Sequence, residues 1–287
     1  MNAGIAYGLA AYGLWGLFPL YWKLFHHVPA PQALAHRIAW SFIALMLLTA
    51  GLERRTGSRR LPLSLPFAGL YVAAAVLIGL NWLLYIWAVN AGFVVETSLG
   101  YFITPLVNVV VGVLVFRERL RPAQWVAVAL AGAGVLYLTS AYGSVPWIAM
   151  GLAASFGGYG VAKKKAPFGA LAGLTLESAV LVGPAALYLG ALQVRGDGLF
   201  LRAGAGTDLL LVSSGLVTIV PLLFFAASVR RVPLSLVGLL QYIAPTIQLV
   251  LGVLVFHEPF TRAQLVGFSF VWLALAVFAV DGVRARR

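Results

Sequence analysis

Ten apolar blocks, each about 18–25 residues long, divide this chain, and nothing else in it constrains the fold as strongly. At 1.5 Å per residue such a block crosses a hydrocarbon core of roughly 30 Å. The blocks fall at 3–22, 32–51, 67–89, 93–116 and 122–140, then 145–162, 169–192, 208–229, 233–256 and 263–281. They are too long for strands and lack a period of two. Open sheets also cannot satisfy their backbone in lipid. Hydrophobic residues make up 62% of the 287 and charged ones 10%, against about half and a quarter in a soluble domain. The expectation is an all-α integral membrane protein with ten transmembrane helices. The first block follows Met1 and Asn2 without a basic leader or a small-residue cleavage site, so a retained helix is expected there.

The charge pattern orients the blocks. Arg54, Arg55, Arg59, Arg60, Arg117, Arg119, Arg121, Lys163, Lys164, Lys165, Arg230, Arg231, Arg284, Arg286 and Arg287 lie in alternate loops and the tail. That is 15 of the 20 Lys and Arg on one side, which the positive-inside rule makes cytoplasmic, together with both termini. The net charge of +12 is therefore an orientation signal in short clusters and not a nucleic-acid face. There is no Cys, which excludes disulfides, thiolate metal sites and Cys nucleophiles. HExxH, GxSxG, a Walker loop and DxD are absent, and His26, His27, His36 and His257 lack metal-ligand spacing.

The chain also repeats itself. "GVLVFRE" at 112–118 returns as "GVLVFHE" at 252–258. Shifted by 140, residues 103–126 meet 12 identities in 24 positions without a gap, including Pro105 with Pro245 and Glu118 with Glu258. Two five-helix repeats follow, 1–142 and 143–287. Five is odd, so the second copy enters the membrane from the opposite face. Inverted repeats are typical of secondary transporters, whose site lies near the midplane between them.

Several strings make the chain resemble the drug/metabolite transporter superfamily, EamA-type, in its RarD branch: "YGLWGLFPLYWKL" (12–24), "AHRIAWS" (35–41), "NWLLYIWAVN" (81–90), "SLGYFITPLVNVVVGVLVFRERL" (98–120), "KKKAPFGALAGLTLES" (163–178) and "GLLQYIAPTIQLVLGVLVFHEPF" (238–260). The resemblance implies transport of small metabolites, in the exporting direction. It also implies a central cavity walled by the first four helices of each repeat, with the fifth helices outside.

Ionisable groups inside spans are costly and need a reason. Arg37 and Glu177 occupy the same position of the two repeats. Arg37 either grips a substrate carboxylate, which its guanidinium suits, or snorkels to the interface. Glu177 either meets a substrate amine or a coupled proton, or bonds a neighbouring helix. His36 is a second proton-coupling candidate. Asn81 and Tyr85 share a helix face, beside Trp82. Tyr101, Thr104 and Asn108 share another, matched in the second repeat by Gln241, Ala244 and Gln248, with Tyr242 adjacent. Pro105 and Pro245 predict kinks at matching places. These polar groups either line a binding site or only glue the bundle. Glu118 and Glu258 read as charges near the next helix's N-terminus, and Thr261 with Gln264 as a capping box.

The sequence thus predicts a carrier of small amphipathic solutes, amino-acid-like or drug-like, working by alternating access in a bacterial-type inner membrane. An intramembrane enzyme or lipid-handling protein on the same bundle is the alternative. Its expected partners are a small-molecule solute and the lipid bilayer. No nucleic acid, cofactor, metal or obligate protein partner is expected.

Overall fold

The computed structural model describes residues 3–56, 68–116, 120–142, 145–168, 170–229, 231 and 240–284, some side chains within its helices excepted. Helices occupy every predicted block, and the described residues hold no strand. The elements are α1 (Ala3–Gly16), α2 (Phe18–Lys23), α3 (Ala30–Thr56), α4 (Ala68–Asn90), α5 (Val94–Phe116) and α6 (Pro122–Tyr142). They continue as α7 (Trp147–Lys165), α8 (Ala170–Arg195), α9 (Ala205–Val229), α10 (Ile243–Val250) and α11 (Arg262–Arg284), with a π-turn at Leu251–Val255 after α10. Among the described residues, five stretches are long and apolar enough to span a bilayer by themselves: Ala3–Lys23, Ala30–Leu52, Ala68–Asn90, Leu171–Arg195 and Ala205–Phe225.

The surface is apolar and the interior holds polar groups, as a lipid solvent requires. Leu47, Leu136, Leu187 and Val194 are at least 70% exposed, whereas Arg37, Glu177 and Asn81 are at most 3% exposed. Trp87 and Trp147 stack near each other and stay partly exposed at helix ends, the usual place of interfacial aromatics.

Side-by-side packing runs α1–α9–α3–α8–α4–α7–α5–α10 and back to α1, so eight helices close a ring. Helices α6 and α11 pack chiefly on each other. Close approach depends on small residues. A Cβ on Gly215 of α9 would sit 2.5 Å from the backbone carbon of Trp40 and 2.6 Å from the nitrogen of Ser41 in α3. Backbone cannot step aside as a side chain can. Gly215→Ala is therefore expected to destabilise by about 1–3 kcal/mol through overpacking, read as a lower thermal midpoint in detergent.

Local chemistry explains the helix ends. Helices α4 and α8 stop at Gly92 (φ +85°) and Gly196 (φ +87°). At each stop an amide reaches five residues back, Phe93 to Ala88 and Asp197 to Leu192, which is the Schellman pattern that a left-handed Gly permits. Helix α6 begins at Pro122, whose missing N–H costs nothing there. The Thr261–Gln264 capping box forms reciprocally: Thr261 N–H donates to Oε1 of Gln264 (2.6 Å), and Gln264 N–H donates to Oγ1 of Thr261 (3.2 Å).

Three expectations change. The first block is not one helix. It breaks at Leu17, and Pro19 opens the short α2, which then packs on α4. The two Pro-centred copies also differ. Pro105 does not interrupt α5, whereas the second copy breaks at Tyr242, three residues before Pro245. The shared "GVLVF" is α-helical at 112–116 but forms most of the π-turn at 251–255. Finally, Glu258 does not serve the helix that follows it. Its Oε1 and Oε2 accept the N–H groups of Val94 (2.9 Å) and Val95 (2.8 Å), capping α5 from the other half of the chain. Glu118 lies outside the described residues.

Burial pushes the Glu258 carboxyl above the usual carboxylate value, partly offset by those two amides and by Lys23. Removing the cap frees two amides at a positively polarised helix start. Glu258→Ala is expected to cost about 1–2 kcal/mol, the upper range for a lost cap, and to speed hydrogen exchange at Val94 and Val95 more than elsewhere in α5.

Candidate functional site

Arg37 lies two turns into α3, 3% exposed. Its guanidinium carbon stands 4.0 Å from the ring centroid of Trp82 on α4 and 5.1 Å from that of Trp22 on α2. Tyr21, Tyr85 and Tyr101 lie within electrostatic range of it. The break at Leu17 matters here, because it lets α2 carry Tyr21 and Trp22 to the α4 side. Tyr85 and Tyr101 meet edge-on at 5.7 Å. One apolar cluster joins Tyr21, Trp22, Tyr85 and Tyr101 with Trp15, Phe18 and Phe25.

The cage attracts the cation without neutralising it. A desolvated cation–π contact contributes about 2 kcal/mol. Stripping water from a guanidinium costs several kcal/mol even after relaxation. No acid lies within ion-pair distance of Arg37 among the described residues, and its Nε has no hydrogen-bond partner. Other buried polar atoms nearby also lack partners: the indole N–H groups of Trp22 and Trp40, and the hydroxyl of Tyr85. Buried polar atoms are nearly always paired, and this cluster holds four that are not.

The stretch of α3 that flanks Arg37 is covered from one side. The segment between α8 and α9 sends Phe200 against His36 (5.2 Å between centroids) and Trp40 (5.9 Å). Gln32 fastens that segment, donating to the Asp197 carbonyl (2.9 Å) and accepting Leu199 N–H (3.3 Å). Tyr21 donates to the Leu210 carbonyl (2.7 Å), and His27 meets Thr207 Oγ1 (2.9 Å).

Glu177 sits in a second cluster. Its Oε1 pairs with Lys163 Nζ at 2.7 Å and its Oε2 accepts the Tyr159 hydroxyl at 3.0 Å. Lys163, not Arg37, is the cation it meets.

Among the other expected site residues the structure divides. Trp82, Tyr85 and Tyr101 join Arg37. Asn81 spends its amide hydrogens on α7, donating to the Leu152 carbonyl (3.0 Å) and Ser155 Oγ (2.9 Å), so it fastens two helices. Thr104 donates to the Gly100 carbonyl of its own helix (2.9 Å). Gln248 donates to the Trp15 carbonyl (3.1 Å) and keeps a buried, unpartnered Oε1. Tyr242 stacks on Phe102 at 6.3 Å, away from the cage, and Gln241 is partly buried beside the helix break. The side chains of Pro105 and Asn108 lie outside the description. His36 packs on Phe200 while Arg37 faces the indoles, as neighbours about 100° apart on a helix must diverge.

Sequence reasoning missed Trp22, Tyr21, Phe200 and Glu96. The two α2 residues lie at the end of the first block, where an aromatic residue ordinarily reads as an interface anchor, and the Pro19 break was the unused signal. Phe200 lies in a loop without periodicity. Glu96 accepts the N–H of Ile148 at the start of α7 (3.2 Å), a contact between segments that no local motif announces.

Comparison with known proteins gives one consistent result. The sequence pattern described as the EamA-like transporter family matches residues 2–140 and again residues 144–280. A protein named RarD from Streptomyces exfoliatus is 49% identical over 100% of this chain and 91% of its own length. An uncharacterized transporter, YojE, from Bacillus subtilis is 43% identical over 99% of this chain and 96% of its own. Protein RarD of Escherichia coli is 42% identical over 99% and 96%. A crystal structure superposes with TM-score 0.64 at 21% identity, covering 96% of this chain and 97% of that one, which speaks to the fold alone.

Proposed function

The chain belongs to the EamA-like transporter family, and from that premise we propose that it is a secondary carrier exporting small amphipathic solutes, with Arg37 as the solute's anchor. That the protein is a multi-pass membrane transporter follows from its family, its full-length relatives and its apolar helices. The family and the YojE relative are named as transporters, which sets the enzymatic alternative aside.

The observation that carries the site is the buried, acid-free guanidinium in an aromatic cage. A solute anion would complete its hydrogen bonding, and a bidentate carboxylate fits a guanidinium best. Trp82, Tyr85 and Tyr101 form the apolar wall, and the free Oε1 of Gln248 offers a further polar contact. Asn81, Thr104 and Tyr242 set the helices around the site.

Alternating access by two inverted repeats, 1–142 and 143–287, is the mechanism we favour. Two observations support it. The self-match at a shift of 140 relates the halves, and exchanging the halves maps the ring of eight helices onto itself. In this arrangement the end at Phe200 is shut and faces outward, with both termini cytoplasmic by the basic-loop bias. Glu177, held by Lys163 and Tyr159, is the proposed proton-coupling group, with His36 beside the shut end as the second.

Proteoliposome uptake tests the reading. Solutes that stabilise the purified protein, drawn from amino acids, monocarboxylates, nucleobases and small drugs, would be offered in radiolabelled form. Saturable uptake, cut at least ten-fold by Arg37→Gln, is the expected result. Uptake indifferent to that substitution removes Arg37 from the site, and conversion of the solute to a product removes the transport reading.

A further inference from the structure

Every acid with a described side chain can be placed relative to Arg37. The chain has eight acids. Glu177 is bound by Lys163 and Tyr159. Glu96 takes the Ile148 amide at the start of α7, and Glu258 takes the first amides of α5. Asp281 pairs with Arg121 at 2.8 Å. Asp197 lies beyond the end of α8, on the outer segment whose carbonyl Gln32 holds. Asp208 accepts the Leu201 amide at 2.7 Å and lies within electrostatic range of His36. Glu53 stands 16 residues along α3 from Arg37, about 24 Å along a helix, and its side chain lies outside the description. Glu118 stands 17 residues along the chain from Tyr101, past the end of α5 and outside the described residues.

Among the described residues the site therefore holds a cation and aromatic surface but no carboxylate of its own. A zwitterionic amino acid would bring an ammonium group into a cage that already carries a guanidinium. That ammonium would be stripped of water with no anion to meet it. Like charges at such a distance repel, and the low local dielectric strengthens the repulsion. A solute with one carboxylate and an apolar body has neither difficulty.

We infer that the cage selects monocarboxylates with an apolar body and rejects zwitterionic amino acids and amines, which would narrow the amphipathic class expected from sequence. This inference rests on Arg37 being the solute's anchor, and it adds a substrate class to that role. The selection comes from what the site lacks as much as from what it offers, as specificity often does.

The experiment is equilibrium binding of radiolabelled phenylacetate to the purified full chain in detergent. Unlabelled phenylacetate, phenylacetamide, phenylalanine and phenethylamine serve as competitors. Saturable binding, lost in Arg37→Gln, is expected. Competition by phenylacetamide, phenylalanine and phenethylamine should each be at least ten-fold weaker than by phenylacetate. Arg37→Lys keeps the charge but not the fork and should bind between the two. Phenylalanine competing as well as phenylacetate, with binding still dependent on Arg37, overturns the substrate class and leaves the anchor standing. Phenylacetate binding that survives Arg37→Gln overturns both. Absence of saturable phenylacetate binding overturns the class, while uptake by the Arg37→Gln protein judges the anchor separately.

Discussion

Arg37→Met is expected to raise the thermal midpoint of the purified protein while abolishing solute-dependent stabilisation and uptake. The reasoning rests on what surrounds the guanidinium. It is 3% exposed, has no acid within ion-pair distance among the described residues, and leans on Trp82 at 4.0 Å and Trp22 at 5.1 Å. Two such contacts recover about 2 kcal/mol each at best, and less when one ring is at 5.1 Å. The desolvation of the cation costs more than that. Methionine keeps the length and flexibility of the stem and adds favourable sulfur–aromatic contact. Exchanging an uncompensated buried charge for an apolar side chain should stabilise by about 1–4 kcal/mol, or roughly 2–8 °C in a chain of this size. An Arg whose role is to hold the bundle together predicts the reverse sign. A lower midpoint in Arg37→Met, measured by nanoscale fluorimetry in one detergent at one pH, would sink the idea that the cage is built for a missing anion.

The all-helical, membrane-embedded character was legible because lipid forces long apolar helices with paired backbone, and that signature survives any detail of packing. The Thr261–Gln264 box was legible for a related reason, since its chemistry is satisfied within a few residues. Arg37 stood out because a cation in a span is rare. What could not be read was its company. Trp22 reaches Arg37 only because α2 departs from α1 at Leu17, and Phe200 arrives from 163 residues away. Glu258 misled for the same reason. A Glu three residues before a helix start reads as a local cap, yet its oxygens reach Val94 and Val95 in the other half. Asn81 and Thr104 show the opposite failure. Their spacing suggested a wet face, but both hydroxyl and amide are spent on nearby carbonyls.

Lys163→Met should lower the thermal midpoint more than Glu177→Gln does, although both break the same pair. The asymmetry comes from burial. The two side chains meet at 2.7 Å, but Glu177 is 4% exposed and Lys163 is 28% exposed. Without Lys163, the Glu177 carboxylate keeps only the Tyr159 hydroxyl and must stay buried or take up a proton. Without the Glu177 charge, the Lys163 ammonium can swing toward water on its long stem. Breaking a fully buried pair costs about 3–5 kcal/mol, and the partial exposure of Lys163 reduces this to about 2–3 kcal/mol for Lys163→Met and about 1 kcal/mol for Glu177→Gln. The double variant removes both charges and should recover most of the loss, because nothing is left uncompensated. Transport separates this structural effect from the proposed coupling role. Glu177 and Arg37 lie in different clusters, so Glu177→Gln should leave phenylacetate binding within about two-fold of wild type, near the additivity expected of sites without shared partners. Its uptake into proteoliposomes should stop responding to an imposed pH gradient. If that uptake follows the gradient as in the wild type, Glu177 holds helices together and the coupled proton travels elsewhere, with His36 beside Phe200 the next group to replace.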